Sequence, residues 1–396
     1  MLVLSLLTTL TFAYWLAMAV ASVFGLRLIP RLQVPSSEGY PPREEPLVSI
    51  IVAGKDEEEA IADTCRGLLQ QRYGRYELIV VNDRSEDRTG ERLAEVQRFA
   101  EQEGITDRVR FEVVTIHDLP EGWLGKNHAL YQGYLRARGD VILFTDADVR
   151  FHPDTLRSSI RFFQDHAVDH LTLIPIMSAR GYWLQAFVKY FLFSLCLAVW
   201  PWLGNIDRQR RTGMGIGAFN MLSRSAYEQI GTHEALAMRP DDDLYLGMKV
   251  KREGLRQRLV TAPDFLEVEW YPNLGAAVRG LEKNTFAGLK YSLPLVVVAV
   301  AAQFFFFCFP FFAVWLYLGT WQGWLYAGSL LLLLGLYYMF TSKMSHYKGS
   351  QIFALPFTVL LFLYIVLRSV YLTYKRGGVY WRGTFYSLQE LRNMKK

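Results

Sequence analysis

The sequence has few of the residues that build disulfide-linked or zinc-stabilised domains. Its three cysteines are far apart and lie in apolar or helical surroundings, at Cys65, Cys196 and Cys308. Their number is odd and they show no C-x-x-C spacing, which fits a reducing, cytosolic environment. The sequence also lacks an arginine-rich stripe with interleaved aromatic residues. We therefore expect no nucleic-acid partner, although a net charge of +5 suits contact with anionic lipid head groups.

Charge is also missing from the N-terminal segment. Leu2 to about Leu28 contains no charged residue before Arg27, which is followed by Arg31. A secretory signal has a positive start, which this segment lacks. At about 1.5 Å per residue it is long enough to cross a bilayer core of about 30 Å. Residues 1–30 are predicted to be a retained membrane anchor with a cytosolic basic end, and residues 31–45 a linker rich in proline, serine and glycine.

Residues 46–290 carry most of the charged residues and show strand and helix patterns in alternation. Runs rich in β-branched residues predict four strands, at Leu47–Ala53, Tyr76–Val81, Val109–Thr115 and Asp140–Thr145. Helical patterns follow the first, second and third of these, at Glu57–Gln71, Arg88–Glu103 and Lys126–Arg138. This alternation predicts an α/β domain with a mostly parallel sheet. Ligands of such sheets bind beyond the carboxyl ends of the strands.

Further apolar segments indicate a membrane protein. Residues 182–203 are aromatic and apolar, and their pattern fits a buried helix, a helix in the membrane surface or a full span. The region 291–374 contains three candidate spans, and a basic cytosolic tail is predicted at 375–396. Three spans cannot join a cytosolic domain to a cytosolic tail. Either one segment is a hairpin, or one of the charge interpretations is wrong. The near absence of charge inside the spans argues against a transporter.

Acidic residues follow two of the predicted strands. Asp146 and Asp148 come directly after the fourth strand, and two carboxylates at this spacing can converge on a divalent cation, Mg²⁺ or Mn²⁺, that bridges a diphosphate. The alternative is that Asp148 caps the next turn. Asp83 follows the second strand, where its carboxylate can accept hydrogen bonds from a nucleobase or ribose.

Three consecutive acids stand at Asp241, Asp242 and Asp243. Because they repel one another, at least one is expected to have a raised pKa or a cationic partner. Such a carboxylate can act as a general base if it faces a partly desolvated cleft. The alternative is a helix start, where acidic residues favour the helix dipole.

From about Val48 to Asn284 the chain resembles family 2 glycosyltransferases of the GT-A fold. The segment E-G-W-L-G-K-N-H-A-L at Glu121–Leu130 is similar to the G-W-x-G-K-N segment of ceramide-glucosyltransferase-like and of hopanoid- or carotenoid-associated bacterial members. A W-R-G tail of some members is similar to Gly378–Tyr386. The other matching segments are V-S-I-I-V-A-G-K-D-E-E at Val48–Glu58, Y-E-L-I-V-V-N-D-R-S at Tyr76–Ser85, L-F-T-D-A-D at Leu143–Asp148 and D-D-x-x-L-x-x-x-V-K-R-x-G at Asp242–Gly254.

The resemblance implies a role for each matching residue. Asp243 corresponds to the catalytic base and Asp242 to the acidic residue before it, while Asp146 and Asp148 hold the diphosphate and a divalent cation. The remaining residues are expected to bind the nucleotide-sugar: Ala53, Glu57, Asp83, Lys126, Lys283 and Arg382.

One departure from the family pattern bears on the acceptor. Members often carry Q-x-x-R-W after the base, and this chain has Gly280–Asn284 (G-L-E-K-N) there instead, without the tryptophan on which a growing glycan stacks. The resemblance therefore implies an inverting transferase at the cell membrane, with a cytosolic catalytic domain. It would use a nucleotide-sugar, with UDP favoured. The apolar segments at both ends of the chain and the aromatic segment 182–203 predict a lipid acceptor, because they hold the catalytic cleft near the bilayer. The alternatives are a processive polysaccharide synthase and an inactive membrane scaffold.

Overall fold

A computed structural model describes residues 2–34, 45–346, 349–381 and 384–393. The chain forms two compact units. The sheet unit comprises Gly25–Met177 and Trp200–Glu269, and the helical unit comprises Met1–Phe24, Ser178–Val199 and Trp270–Lys396. The chain passes between the two units four times. The domain boundaries given above on sequence grounds stay a prediction.

The sheet unit is built on a seven-stranded sheet with the order β3-β2-β1-β4-β8-β6-β9. Within it, β1 pairs in parallel with β2 and β4, β2 with β3 and β6 with β9, while β8 runs antiparallel to both of its neighbours. A smaller sheet has the order β5-β10-β7. The strands are β1 Val48–Gly54, β2 Tyr76–Asp83, β3 Arg110–Ile116, β4 Val141–Asp146, β5 Val149–Phe151, β6 His170–Ile174, β7 Ile176–Ser178, β8 Asn220–Ser223, β9 Gln257–Thr261 and β10 Leu266–Glu269.

The central strands are covered on both faces, which explains why β1 and β2 are almost continuous runs of buried apolar residues. One face packs on α2 and α3, and the other on α4 and α8. Helix α4 lies close to the sheet because Gly133 has no side chain; a Cβ there would overlap Ile51. The helices of this unit are α2 Ile61–Leu69, α3 Thr89–Gln102, α4 Gly125–Arg136, α5 Thr155–Asp165, α7 Arg224–Gln229 and α8 Asp242–Arg252.

The first helix, α1 Leu2–Arg27, leads into a segment that extends the sheet at β9. The Leu32 amide donates to the Thr261 carbonyl, and the Thr261 amide donates to the Pro30 carbonyl, both at 2.9 Å. Asn205 reinforces this edge, because its Nδ2 donates to the Leu28 carbonyl at 2.7 Å. A paired edge is protected from intermolecular strand addition.

The helical unit contains the long apolar helices. Trp15 of α1 donates from Nε1 to the Phe306 carbonyl at 2.9 Å, within a π-helical turn at Gln303–Cys308. Among the described residues, five helical segments are long and apolar enough to cross a membrane: Val3–Arg27, Tyr182–Val199, Leu293–Leu316, Trp321–Met344 and Ser350–Arg376. The elements of this unit are α6 Tyr182–Val199, α9 Leu274–Gly288, α10 Leu293–Ala302, α11 Phe309–Leu316, α12 Trp321–Met344, α13 Leu355–Arg376, β11 Gly378–Trp381, β12 Thr384–Ser387 and α14 Leu388–Asn393.

The predicted fold class is confirmed: a mostly parallel α/β sheet with apolar helices at both ends of the chain. The four predicted strands match β1 to β4 with bounds that differ by one or two residues. The antiparallel strand β8 is short, and no pattern in its sequence separates it from the parallel strands.

Candidate active site

The register of the central strands aligns the predicted donor-site residues at one edge of the sheet. Ala53 near the end of β1 lies between Val81 of β2 and Asp146 of β4. Asp83 ends β2 two residues beyond Val81, so it lies two strand spacings, about 10 Å, across the sheet from Asp146 and two residues further along the strands. The carboxyl ends of these parallel strands therefore bring Ala53, Asp83 and Asp146 together, as the sequence predicted.

Lys126 lies between Asp146 at the end of β4 and Asp242 at the start of α8. Its Nζ lies 2.7 Å from Asp146 Oδ1 and 3.5 Å from Asp242 Oδ2. Burial disfavours the ammonium, but Asp146, Asp242 and Asp243 outweigh burial and raise the pKa of Lys126 above its ordinary value. Lys126 is therefore a charged cation among three carboxylates.

Asp242 and Asp243 form the first turn of α8, where acidic residues favour the helix dipole. Asp243 Oδ2 accepts from the Gly217 amide at 2.9 Å, and its Oδ1 accepts from the Leu244 amide at 2.7 Å. Burial and the neighbouring Asp242 raise the pKa of Asp243 to about 6. Burial also raises the pKa of Asp242, with Lys126 acting in the opposite direction. A carboxylate with a pKa near 6 is ionised at neutral pH and still basic enough to accept a proton.

Three alternating glycines make room for this arrangement. A Cβ at Gly213 would overlap the Gly247 carbonyl, one at Gly215 the Asp243 carbonyl, and one at Gly217 the carboxylate of Asp146. Gly217 also accepts from the Asp146 amide at 3.1 Å. The glycine segment therefore lets α8 approach β4 closely enough for one pocket to contain Asp146 and Asp243.

Residues around Lys126 line an enclosed cavity of about 10 Å³, which has room for about one water. His233 is among them; its Nδ1 lies 2.6 Å from the Tyr227 hydroxyl, and burial lowers its pKa to about 3. His233 is therefore neutral at physiological pH and adds no charge to the cluster. The other lining residues are Lys126, Leu130, Phe144, Thr145, Asp146, Gly217, Asn220, Asp242, Asp243 and Leu246.

Asp83 is buried beneath Arg84, which donates to both of its oxygens, at 2.7 Å and 3.0 Å. The start of α4 packs against this pair, since a Cβ at Gly125 would lie 2.5 Å from Asp83 Oδ2. Each carboxylate oxygen retains a lone pair for a further donor. In the loop after β1, the Glu57 amide donates to Thr89 Oγ1 at 2.8 Å, which ties this loop to the start of α3.

Asn127 follows Lys126 and holds the loop that precedes α8. Its Nδ2 contacts three carbonyl oxygens, of Leu236 at 2.6 Å, Ala237 at 3.2 Å and Arg239 at 2.9 Å. Asn127 thereby links α4 to the loop that leads to Asp242. Asn127, His233 and the three glycines were not among the residues predicted from the sequence, although the spacing G-x-G-x-G at residues 213–217 was a usable signal.

The remaining predicted residues are not among those that line this cavity. Asp148 follows Asp146 and is exposed. Lys283 lies on α9 in the helical unit, and its side chain is outside the described part of the chain. Arg382 lies outside the described residues. Among the residues that the structure describes, no group of three or more His, Cys, Asp or Glu side chains is arranged to hold a metal ion.

The sequence matches two described protein families and a known bacterial enzyme. Residues 49–231 match the family described as Glycosyl transferase family 2, and residues 141–372 match Glycosyl transferase family group 2. The 4,4'-diaponeurosporenoate glycosyltransferase of Staphylococcus aureus (strain USA300) is 22% identical over 353 residues, which cover 87% of this chain and 89% of that protein.

Among solved structures, a mannosyltransferase from Pyrobaculum calidifontis in complex with GDP-Man and Mn2+ matches with a TM-score of 0.51 at 18% identity. The match covers 93% of this chain and 98% of that one, and it supports the GT-A fold. The second family match covers more than half of the chain and includes Asp146, Asp242 and Asp243. The chain belongs to the family 2 glycosyltransferases and is an enzyme that acts on a nucleotide-sugar.

Proposed function

We propose that this enzyme is an inverting transferase that moves a sugar from a nucleotide-sugar to the hydroxyl of a membrane lipid. The observation that carries the proposal is the single pocket formed by Asp146, Asp242 and Asp243 around Lys126. It brings a lysine ammonium and the Asp146 carboxylate next to Asp243, a carboxylate that can accept a proton.

On the donor side, we assign Asp83 to the base or ribose, with Ala53 and Glu57 beside it. Asp146 and Asp148 fit a divalent cation, because one or two carboxylates, with substrate phosphates and water, are a usual ligand set of Mg²⁺ and Mn²⁺. When bound, such a cation would neutralise charge on the departing diphosphate. The mannosyltransferase with GDP-Man and Mn2+ supports this choice of metal. Among nucleotides, UDP stays the favoured prediction.

On the acceptor side, Asp243 is proposed to be the general base. Its carboxylate takes the proton of the lipid hydroxyl as that oxygen attacks the anomeric carbon. The bond from this carbon to the diphosphate oxygen breaks on the opposite face in the same step. One displacement inverts the configuration, so an α-linked donor gives a β-glycoside. Asp242, with its Oδ2 3.5 Å from Lys126 Nζ, keeps the lysine beside the leaving group.

Two observations support a lipid acceptor: the apolar helical segments and the similarity to a known glycosyltransferase. Five helical segments are apolar enough for a membrane, and the match to the S. aureus carotenoid glycosyltransferase covers 87% of the chain. The chain also enters and leaves the sheet unit from apolar helices at both ends. Such anchoring restricts the enzyme to the surface where a lipid acceptor is concentrated.

The sheet also constrains the path of α6. Strands β4 and β6 precede α6, and β8 and β9 follow it, yet all four belong to one sheet. A single crossing by α6 would put the two halves of this sheet on opposite sides of the membrane. We therefore infer that the chain returns from α6 to the side from which it entered. Arg27 at the end of α1 and Arg31 just after it favour the cytosol as that side, because basic residues are enriched in cytosolic flanks of membrane helices.

The test uses the full chain in detergent or nanodiscs with a panel of UDP- and GDP-sugars. Products are identified by mass after incubation with a total membrane lipid extract or with soluble sugars. We expect a lipid that carries one added sugar. Transfer to soluble sugars alone would contradict the lipid assignment, and a polymer would favour the processive synthase.

Two matched variants address the base. Asp243→Asn removes the proton acceptor at nearly constant shape, and transfer should fall by about 10² to 10⁴ while the nucleotide still binds. Asp241→Asn is the control, because Asp241 pairs with Arg239 at 2.9 Å and does not line the cavity. Equal activity of Asp243→Asn and the wild type would exclude Asp243 as the base.

A further inference from the structure

Lys126 holds the carboxylate to which the cation has been assigned. Its Nζ lies 2.7 Å from Asp146 Oδ1 and 3.5 Å from Asp242 Oδ2. The lysine side chain is about three-quarters buried, at 24% exposed. In this state the ammonium offsets part of the negative charge of the acidic cluster.

An ammonium and a divalent cation on the same carboxylate repel each other strongly in a site that is largely withdrawn from water. A cation that binds Asp146 must therefore either tolerate Lys126 or displace it. If it is displaced, the buried ammonium loses its carboxylate partners. This loss is unfavourable unless another anion replaces them.

A diphosphate is such an anion. Lys126 is the second residue of α4, whose first turn directs backbone amides outward, and Leu124 at the N-cap has no side chain that can cap them. A helix N-terminus of this kind attracts phosphate groups. The four-carbon stem of lysine lets the ammonium move between neighbouring anions without a change in the backbone.

We propose that Lys126 is a resident counter-ion that passes from Asp146 to the diphosphate of the donor, so that a divalent cation binds Asp146 tightly only together with the nucleotide. This proposal rests on the proposed function, which places the diphosphate and the cation at Asp146 and Asp148. The exchange makes metal and nucleotide binding cooperative, and it leaves the carboxylate cluster with one counter-charge when no donor is present.

The experiment measures the affinity of the full-length protein for Mn2+ at constant ionic strength, from the electron paramagnetic resonance signal of free Mn2+. Each measurement is made with Mn2+ alone and with saturating UDP or GDP, and is corrected with protein-free samples that contain the same nucleotide. For the wild type we expect weak binding of Mn2+ alone and an increase in affinity of at least about tenfold with nucleotide.

Lys126→Met removes the charge and keeps most of the stem. This variant should bind Mn2+ alone at least about tenfold more tightly than the wild type, with a much smaller effect of nucleotide. Lys126→Arg retains the charge, so its binding of Mn2+ without nucleotide should stay as weak as that of the wild type. Lys249→Met, on α8 but outside the cavity, controls for the change in net charge. Thermal melting confirms that each variant is folded.

The outcomes separate this proposal from the one on which it rests. If Lys126→Met binds Mn2+ alone no more tightly than the wild type, while nucleotide still enhances binding in both, the exchange is wrong and the metal assignment stands. If neither protein binds Mn2+ with either nucleotide, the metal assignment itself is wrong. Wild-type protein that binds Mn2+ equally well with and without nucleotide also overturns the exchange.

Discussion

Gly215→Ala tests whether the place of the proposed base depends on space at the glycine segment. A Cβ at Gly215 would lie 1.9 Å from the Asp243 carbonyl oxygen, which is backbone and cannot rotate away. The start of α8 must therefore retreat by about 1 Å to relieve the overlap in a close-packed interior. A shift of this size at a reacting group lowers the rate by about 10²-fold, and overpacking costs about 1–3 kcal/mol of stability.

The assay is single-turnover transfer to lipid at saturating donor, together with thermal melting. We expect transfer to fall by about two orders of magnitude, while nucleotide binding is retained because Asp83 lies on β2, away from the change. Gly67→Ala is the control: in the middle of α2, its Cβ would lie 3.6 Å from the Phe151 carbonyl oxygen, an ordinary contact. A Gly215→Ala protein that melts and transfers like the wild type would refute the steric argument.

Three further predictions address the base and the supports of the pocket. Because the base acts as a carboxylate and the pKa of Asp243 is raised to about 6, the transfer rate should fall as the pH drops below 6 and level off above 7; a flat profile between pH 5 and 8 would contradict this. Asn127→Ala should lower the free energy of unfolding, measured by denaturant titration, by about 1–3 kcal/mol because it leaves buried carbonyls without their donor. Asn127→Asp should lower it further, and an unchanged midpoint for either variant would contradict the prediction. Asn205→Ala removes the contacts of its side chain with Leu28 and Leu259 and should reduce stability by a similar amount, measured by melting; no change would show that this edge is held otherwise.

The sequence predicted the frame of the donor site well because that frame depends on local patterns. Short runs of β-branched residues give buried parallel strands, and the carboxyl ends of adjacent strands share one edge. Asp83 and Asp146 could therefore be placed near each other before the structure was known. The contact of Lys126 with Asp146 does not follow from local sequence, because a lysine near the start of a helix is usually solvated. The contact forms only when α4 packs on the sheet.

The approach of α8 to β4 could not be read from periodicity. It depends on long-range contacts of Gly213, Gly215 and Gly217, and glycines at alternate positions in a connecting segment also occur in ordinary turns. The three hydrogen-bond contacts of Asn127 likewise cross more than 100 residues of chain. The path of α6 was left open by its composition, since apolar length fits a buried, interfacial or spanning helix equally. Only the continuity of the sheet on both sides of α6 restricts it.

The anomeric configuration of the product tests the central claim most directly, because it reports on a single displacement assisted by Asp243. The wild-type protein is given an α-linked nucleotide-sugar that it accepts and a lipid acceptor, and the anomeric proton of the purified glycolipid is observed by nuclear magnetic resonance from the earliest time point. We predict a β-linked product. An α-linked product would contradict direct attack by the acceptor and, with it, the role assigned to the pocket.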